Sequence, residues 1–387
     1  MAHKMYELNL KDGIINKGNS LRIKRVMQKA YRGEGIVTAF LGGSITQGCH
    51  SSRPDTCYAA LVHKWWEKKF PGCKAEFINA GIGATTSLFG AARVRQHVLS
   101  KDPDFILTEF AVNDENTELY KESYEGLIRT ILKDDNLPAL MLMNNVCYDT
   151  GISAEEKHLE IAKHYDLPMV SMKTTILREI QNGSIKAEDI TPDNLHPNDD
   201  GHELVASVIT YYLDTVYEEA AKEGLFDSDV SVELTGVLPN PVTVDSYENA
   251  LRIKNYNMSD PGFNVELNGF RVDDHIKADF LDIFSGGFEA SQKGDSITFK
   301  TVCSGMAAQY KKTIDQPAPV AMAIIDDDED NAVILDANFD EDWGDCLYID
   351  VLKSHMELKE HKVEIRITET HEDDRVPFYL TSLIVCK

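Results

Sequence analysis

The chain has 387 residues, enough for two domains at roughly 100–200 residues each. Hydrophobic residues make up 43% and charged residues 27%, a balance that fills a core and excludes intrinsic disorder. With 39 Lys and Arg against 64 Asp and Glu the net charge is −25. A surface that acidic repels phosphate backbones and anionic headgroups, which argues against nucleic acid and membrane partners.

No apolar signal core opens the sequence, and runs such as Ala139–Met143 and Val320–Ile325 fall far short of the ~20 residues of a membrane helix. The cysteines (Cys49, Cys57, Cys73, Cys147, Cys303, Cys346 and Cys386) include no C-x-x-C pair, so neither a zinc knuckle nor a disulfide framework is indicated. These features predict a soluble protein of a reducing compartment, the cytoplasm.

Up to Gly224, short apolar runs alternate with helical spacing. Strands are expected at Ile36–Leu41, Phe77–Asn79, Phe105–Phe110, Ala139–Met143 and Met169–Met172. Helical patterns lie between them at Tyr58–Phe70, Gly90–Lys101, Tyr120–Lys133 and Ser153–Tyr165. A last helix, about Gly201 to Lys222, places Leu204, Val208, Ile209, Tyr212, Leu213 and Val216 on one face. This alternation predicts a parallel sheet of five strands covered on both sides, an α/β domain over residues 1–226.

Residues 227–387 read differently. Period-two runs at Val230–Leu234, Ser296–Val302, Val320–Ile325, Cys346–Val351, Lys362–Thr368 and Phe378–Val385 are divided by Gly, Pro, Asn and Asp clusters. That pattern predicts an antiparallel β-sandwich or jelly roll. The acidic run Asp326–Asp330 lacks the turn glycine and distal glutamate of a calcium loop and reads as a hairpin tip.

In a parallel sheet the crevice lies at the carboxyl ends of the strands. Loops expected there carry Gly42-Gly43-Ser44-Ile45-Thr46, Gly81-Ile82-Gly83-Ala84-Thr85 and Ala111-Val112-Asn113-Asp114, and Asp193-Asn194-Leu195-His196-Pro197 precedes the last helix. Together they offer a hydroxyl, a backbone-rich turn, an amide and an Asp–His pair, the parts acyl transfer needs. Serine requires an imidazole to take its proton, and the imidazole requires a carboxylate to fix its tautomer. The oxyanion requires donors, which the N–H of Ser44, the Gly83–Ala84 turn and the Asn113 amide supply. Each piece also has a purely structural reading as a tight turn or cap, and Asp199–His202 is a second Asp-x-x-His. A thiolate mechanism through Cys49, beside His50, is a weaker competitor. The combination in this order carries the functional reading.

These blocks resemble those of the SGNH (GDSL-like) hydrolases over about residues 35–220, with departures at Gly43, Ala84 and Ala111. The resemblance implies a flavodoxin-like three-layer domain, Ser44, Asp193 and His196 as catalytic triad, and Ser44, Gly83, Ala84 and Asn113 as oxyanion hole. No metal or organic cofactor is implied. The two-domain layout is similar to bacterial acetylmannan esterases, whose second domain resembles a carbohydrate-binding jelly roll. The expected activity is removal of O-acetyl groups from a neutral oligosaccharide, favouring acetylated β-mannan fragments. Alternatives are a lipid or thioester hydrolase of the same fold and a degenerate carbohydrate-binding protein. In the β-domain, Trp343 is the candidate sugar platform; shielding an apolar flank or supporting a homodimer are its plainer roles.

Overall fold

The computed structural model describes residues 6–227, 232, 234, 236–275, 281 and 283–387. It divides into two compact units, Met1–Asp245 and Ser246–Lys387.

In the first unit an edge strand β1 (Ile14–Asn16) precedes helix α1 (Leu21–Tyr31). Then come β2 (Ile36–Gly42), the one-turn α2 (Ser44–Gln47), α3 (Tyr58–Lys69), β3 (Ala75–Gly81) and α4 (Ser87–His97). The chain continues through β4 (Phe105–Glu109), α5 (Glu118–Leu132), β5 (Ala139–Asn144), α6 (Glu155–His164) and β6 (Met169–Ser171). Two short helices, α7 (Arg178–Gln181) and α8 (Ala187–Ile190), lead to the long α9 (Asp199–Lys222). The strand order is β1-β6-β5-β4-β2-β3, and every pairing is parallel except β1 with β6.

The expected five strands are all present, and the sheet gains a sixth, the antiparallel β1. With only three residues, Ile-Ile-Asn, β1 is too short to show a period. Helix α1 was also missed, although Ile23, Val26, Met27 and Ala30 have helical spacing and are all buried. The helix expected at Gly90–Lys101 begins earlier, at Ser87, and gives way after His97 to a single turn at Leu99–Lys101.

Residues on α1, α3 and α9 share one core with Phe40, Phe105, Met141 and Val170 from the sheet. Successive side chains on a strand point to opposite faces. Ala39, Leu41, Ile106 and Leu140 therefore face the other way, and they too are buried. Helix α9 uses the face read from the sequence, with Leu204, Val208, Ile209, Tyr212, Leu213 and Val216 in the core.

The unit boundary lies after Asp245 rather than at 226/227. Residues 239–245 are clasped by α5 and the end of α6. Val242 and Thr243 N–H groups each donate to the Glu125 carboxylate at 2.8 Å. Arg129 donates to the Pro239 carbonyl at 2.9 Å and pairs with Asp245 at 3.0 Å. The strap is fastened by side-chain bonds while Val242 and Val244 stay exposed, so no buried apolar face marks its attachment in the sequence.

The second unit holds β7 (Leu251–Ile253), β8 (Phe263–Asn268), β9 (Arg271–Val272), β10 (Phe288–Ala290), β11 (Ser296–Cys303) and β12 (Gly305–Lys312). It continues with β13 (Val320–Ile325), β14 (Val333–Asp336), β15 (Cys346–Lys353), β16 (Lys359–Glu369) and β17 (Phe378–Cys386). One antiparallel sheet runs β15-β12-β17-β10-β9, with β7 also on β17; the other runs β14-β13-β16-β11-β8. Strand β16 shows why the period was visible: His361, Val363, Ile365 and Ile367 point inward, between Lys362, Glu364, Arg366 and Thr368. Strand β12 was missed because Gly305–Gln309 are buried without interruption, leaving no alternation to read. The expected strand Val230–Leu234 falls largely outside the described residues. Asp326 follows β13 in the turn toward β14, and its carboxylate accepts from His361 Nδ1 at 2.7 Å and the Lys362 N–H at 3.0 Å.

Candidate active site

Strand β2 ends at Gly42, and the chain turns at Gly43 into α2, whose first residue is Ser44. Amides in a helix's first turn have no intrahelical acceptor, so the turn presents N–H groups together with the Ser44 hydroxyl. Two anchors fix α2 and a third holds the end of β2 before it. Asn79 Nδ2 donates to the Thr46 carbonyl at 2.8 Å, and the Thr46 and Tyr58 hydroxyls bond at 2.7 Å. The Ile82 N–H donates to the Gly42 carbonyl at 3.0 Å. Beneath them the buried Arg93 guanidinium donates to the carbonyls of Ala80 (2.7 Å) and Gly42 (3.1 Å), tying together the ends of β2 and β3.

Asp193 organises the turn before α9. Its Oδ1 accepts from the N–H groups of His196 (2.7 Å) and Leu195 (3.0 Å), leaving Oδ2 for the His196 ring at 2.6 Å through Nδ1. On the other side of the ring, Nε2 lies 2.8 Å from Ser44 Oγ. Partial burial of Asp193 works to raise its pKa. The His196 ring and the two backbone donors outweigh it and hold the carboxyl well below the usual aspartate range. An ionised carboxylate only accepts, so the ring N–H sits on Nδ1 and the Nε2 lone pair faces the hydroxyl. That is the tautomer a general base requires.

The second Asp-x-x-His does not form such a pair. Asp199 accepts from the Ser52 N–H (2.8 Å), the Ser52 hydroxyl (2.6 Å) and the Thr56 hydroxyl (2.7 Å). His202 accepts from the Tyr58 N–H at 3.2 Å and reaches the Cys49 carbonyl at 3.3 Å. Burial lowers His202 to about 4, so it is neutral near pH 7.

Asn113 stands against Gly43: a Cβ built at Gly43 would lie 2.5 Å from Asn113 Oδ1. A side chain at 43 would therefore displace the amide, and glycine at this departure from the family pattern fits its neighbour. The third loop is braced by Asp114, which accepts from the Ser87 N–H at 2.8 Å and from buried His158 at 3.0 Å. Gly83 lies beside the hydroxyl, a Cβ built on it falling 3.7 Å from Ser44 Cβ, and its N–H donates to Gln47 Oε1 at 2.9 Å. Ala84 holds φ +54°, the left-handed region in which glycine is favoured. An alanine there costs about 1–2 kcal/mol of backbone strain.

Two residues had no orienting partner visible in the sequence. His50 Nε2 lies 3.4 Å from Asp193 Oδ2, and the His50 and His196 rings meet edge to face with centroids 5.6 Å apart. The contact spans 143 positions of chain, so no spacing rule reveals it. Cys49 is its neighbour, and burial together with the Asp193 charge pushes that thiol up. A neutral thiol is a poor nucleophile, which weighs against the thiolate alternative. In the second unit Trp343 is half exposed; its indole N–H donates to Glu341 at 2.5 Å and its ring meets Phe339 edge to face.

Glu109, the last residue of β4, is completely buried just before the Asn113 loop. Burial pushes its carboxyl up to about 8, against the pull of the Asn145, Ala111 and Val112 N–H groups. The folded protein therefore retains a proton that the unfolded chain loses near the ordinary glutamate pKa of ~4.3. Stability should fall as pH rises from there to about 8 and level off above. Glu109→Gln keeps an acceptor for the Ala111 N–H and abolishes the charge. Urea unfolding at several pH values should show the variant's stability flatter across this interval by a few kcal/mol, at ~1.4 kcal/mol per pKa unit. Parallel curves for the two proteins would mean that Glu109 titrates normally.

Residues 40–204 match the GDSL-like lipase/acylhydrolase family. The structure superposes on that of a two-domain esterase active on acetylated mannans, co-crystallised with mannopentaose. The TM-score is 0.91 and the identity 48%, over 99% of both chains. A second structure of a two-domain esterase active on acetylated mannans gives the same values over 98% of this chain and 99% of the other. Thioesterase 1/protease 1/lysophospholipase L1 of Escherichia coli K12 is 25% identical over 173 residues, 43% of this chain and 77% of that protein.

Proposed function

This chain belongs to the GDSL-like lipase/acylhydrolase family, and from that premise we propose that it is a serine esterase removing acetyl groups from acetylated β-manno-oligosaccharides. One observation carries the mechanism: Ser44 Oγ, both nitrogens of His196 and Asp193 Oδ2 are linked by contacts of 2.8 and 2.6 Å. Ser44 Oγ attacks the ester carbonyl carbon as its proton passes to His196 Nε2. Asp193 holds the ring in place and stabilises the imidazolium. The N–H of Ser44, the Gly83–Ala84 turn and the Asn113 amide receive the oxyanion, each such donor being worth about 3–4 kcal/mol. Gln47, which holds the Gly83 N–H at rest, yields it as the oxyanion forms. His196 then returns the proton to the departing sugar oxygen, leaving acetate esterified to Ser44. Water, deprotonated by the same ring, attacks that ester, and Ser44 recovers its proton as acetate leaves.

The substrate follows from the likeness to the two-domain esterases, which spans the second unit as well as the first. Trp343, with its exposed ring, is the stacking platform we assign to the second unit. Acetate release measured on acetylated mannan, xylan and chitin oligosaccharides tests the assignment. The highest kcat/KM is expected on the mannan fragments. Release from xylan alone would overturn the substrate while sparing the mechanism. A preference for acyl chains of about eight carbons or more would point instead to a lipase-like trough.

A further inference from the structure

Cys49, His50 and His196 each offer one ligand atom, and these three atoms all lie within 4.8 Å of one another. We propose that this cluster is an inhibitory site for a thiophilic divalent cation such as Zn²⁺ or Co²⁺, which closes the active site by taking His196 as a ligand.

The donor set suits the ion: one sulfur and two imidazoles, with water completing a tetrahedron. Metal–ligand bonds of ~2.0–2.3 Å require donors about 3.3–3.6 Å apart. The present spread closes to that by side-chain rotation, since Cys49 is half-buried and His50 exposed. Backbone bonds hold the ligands ready for it. The Cys49 N–H donates to the Ser44 carbonyl at 3.0 Å, which fixes the Cys49 backbone against α2. His50 follows with φ +63°, turning its ring toward Asp193. Beyond them Ser52 and Thr56 bond to Asp199, three residues after His196, so the Cys49–His50 segment is tied to the start of α9.

Coordination is incompatible with turnover whichever ring nitrogen of His196 binds. Nε2 serves Ser44 and Nδ1 serves Asp193, so the metal removes either the proton acceptor or its orienting carboxylate. Cys49 binds as thiolate and its proton leaves to water; nothing is oxidised or reduced. Loss of activity rests on the serine-esterase reading above, but coordination does not.

The test is a Co²⁺ titration of the full chain, read by visible and near-ultraviolet absorption and by hydrolysis of an acetyl ester. A thiolate-to-cobalt charge-transfer band should saturate at one ion per chain, hydrolysis should fall in step with it, and a chelator should restore activity. Cys49→Ser should keep its basal hydrolysis, lose the band and need at least ~10-fold more Co²⁺ or Zn²⁺ for half-inhibition. His50→Asn should weaken the band without removing its sulfur character. No band, or a band that survives in Cys49→Ser, overturns the site. A Cys49-dependent band without loss of hydrolysis overturns the role of His196 as a ligand. The proposed function fails separately, if Ser44→Ala remains active.

Discussion

Ser44→Ala should lower kcat/KM for acetyl-ester hydrolysis by at least about 10⁴-fold while leaving the fold in place. The loss is that large because Ser44 Oγ is the atom that accepts the acyl group, and without it His196 has no nucleophile to activate. Residual turnover of about 10³-fold over water would come from the oxyanion donors acting on a bound water. Stability should change little. Ser44 opens α2, alanine is a good helix former, and the deleted oxygen bonds to His196. Circular dichroism and urea midpoints matching the parent protein would show that only chemistry was lost. Activity within severalfold of the parent would remove Ser44 from the mechanism.

Asp193→Asn should cost about 10³–10⁴-fold in kcat, because it replaces an acceptor by a group that also donates. The asparagine carbonyl can still take the N–H groups of Leu195 and His196 that Oδ1 takes now. Its amide nitrogen then faces His196 Nδ1, and two donors cannot pair. The ring answers by moving its proton to Nε2, where it meets Ser44 as a donor and can no longer take the hydroxyl proton. His50 cannot substitute, since it approaches the same carboxylate oxygen rather than bringing one. Because hydrogen bonds hold Asp193 below the usual aspartate range, it stays ionised at pH values where a free aspartate would protonate. Its protonation therefore does not set the acid limb of the parent's pH–rate profile. A variant within tenfold of the parent, or a parent activity that falls with the titration of an ordinary aspartate, would contradict this role.

The parallel sheet was legible because its central strands are buried on both faces, so Phe105–Leu107 and Ala139–Met143 stand out as unbroken apolar runs. The loops that follow them were legible for a related reason: a βα unit directs its strand's carboxyl end to one rim, wherever the partner loop lies in the chain. Ser44 and His196 come from 152 positions apart, yet each sits where the alternation of elements places it. What could not be read depends on side-chain contacts without a repeat. His50 meets Asp193 in a segment that Ser52 and Thr56 fasten to Asp199. Glu125 and Arg129 move the unit boundary by binding a strap whose own residues look like linker. Gly43 was conspicuous as a departure from the family, and its reason, the closeness of Asn113, belongs to packing rather than to sequence pattern.

A fluorophosphonate that phosphonylates activated serines probes the convergence of Ser44, His196 and Asp193 most directly, with peptide mass spectrometry to locate the adduct. One adduct per chain should form on Ser44, with hydrolysis lost in proportion and His196→Ala labelling at a far lower rate. An adduct on any other residue, or full activity in protein completely labelled at Ser44, would contradict the account.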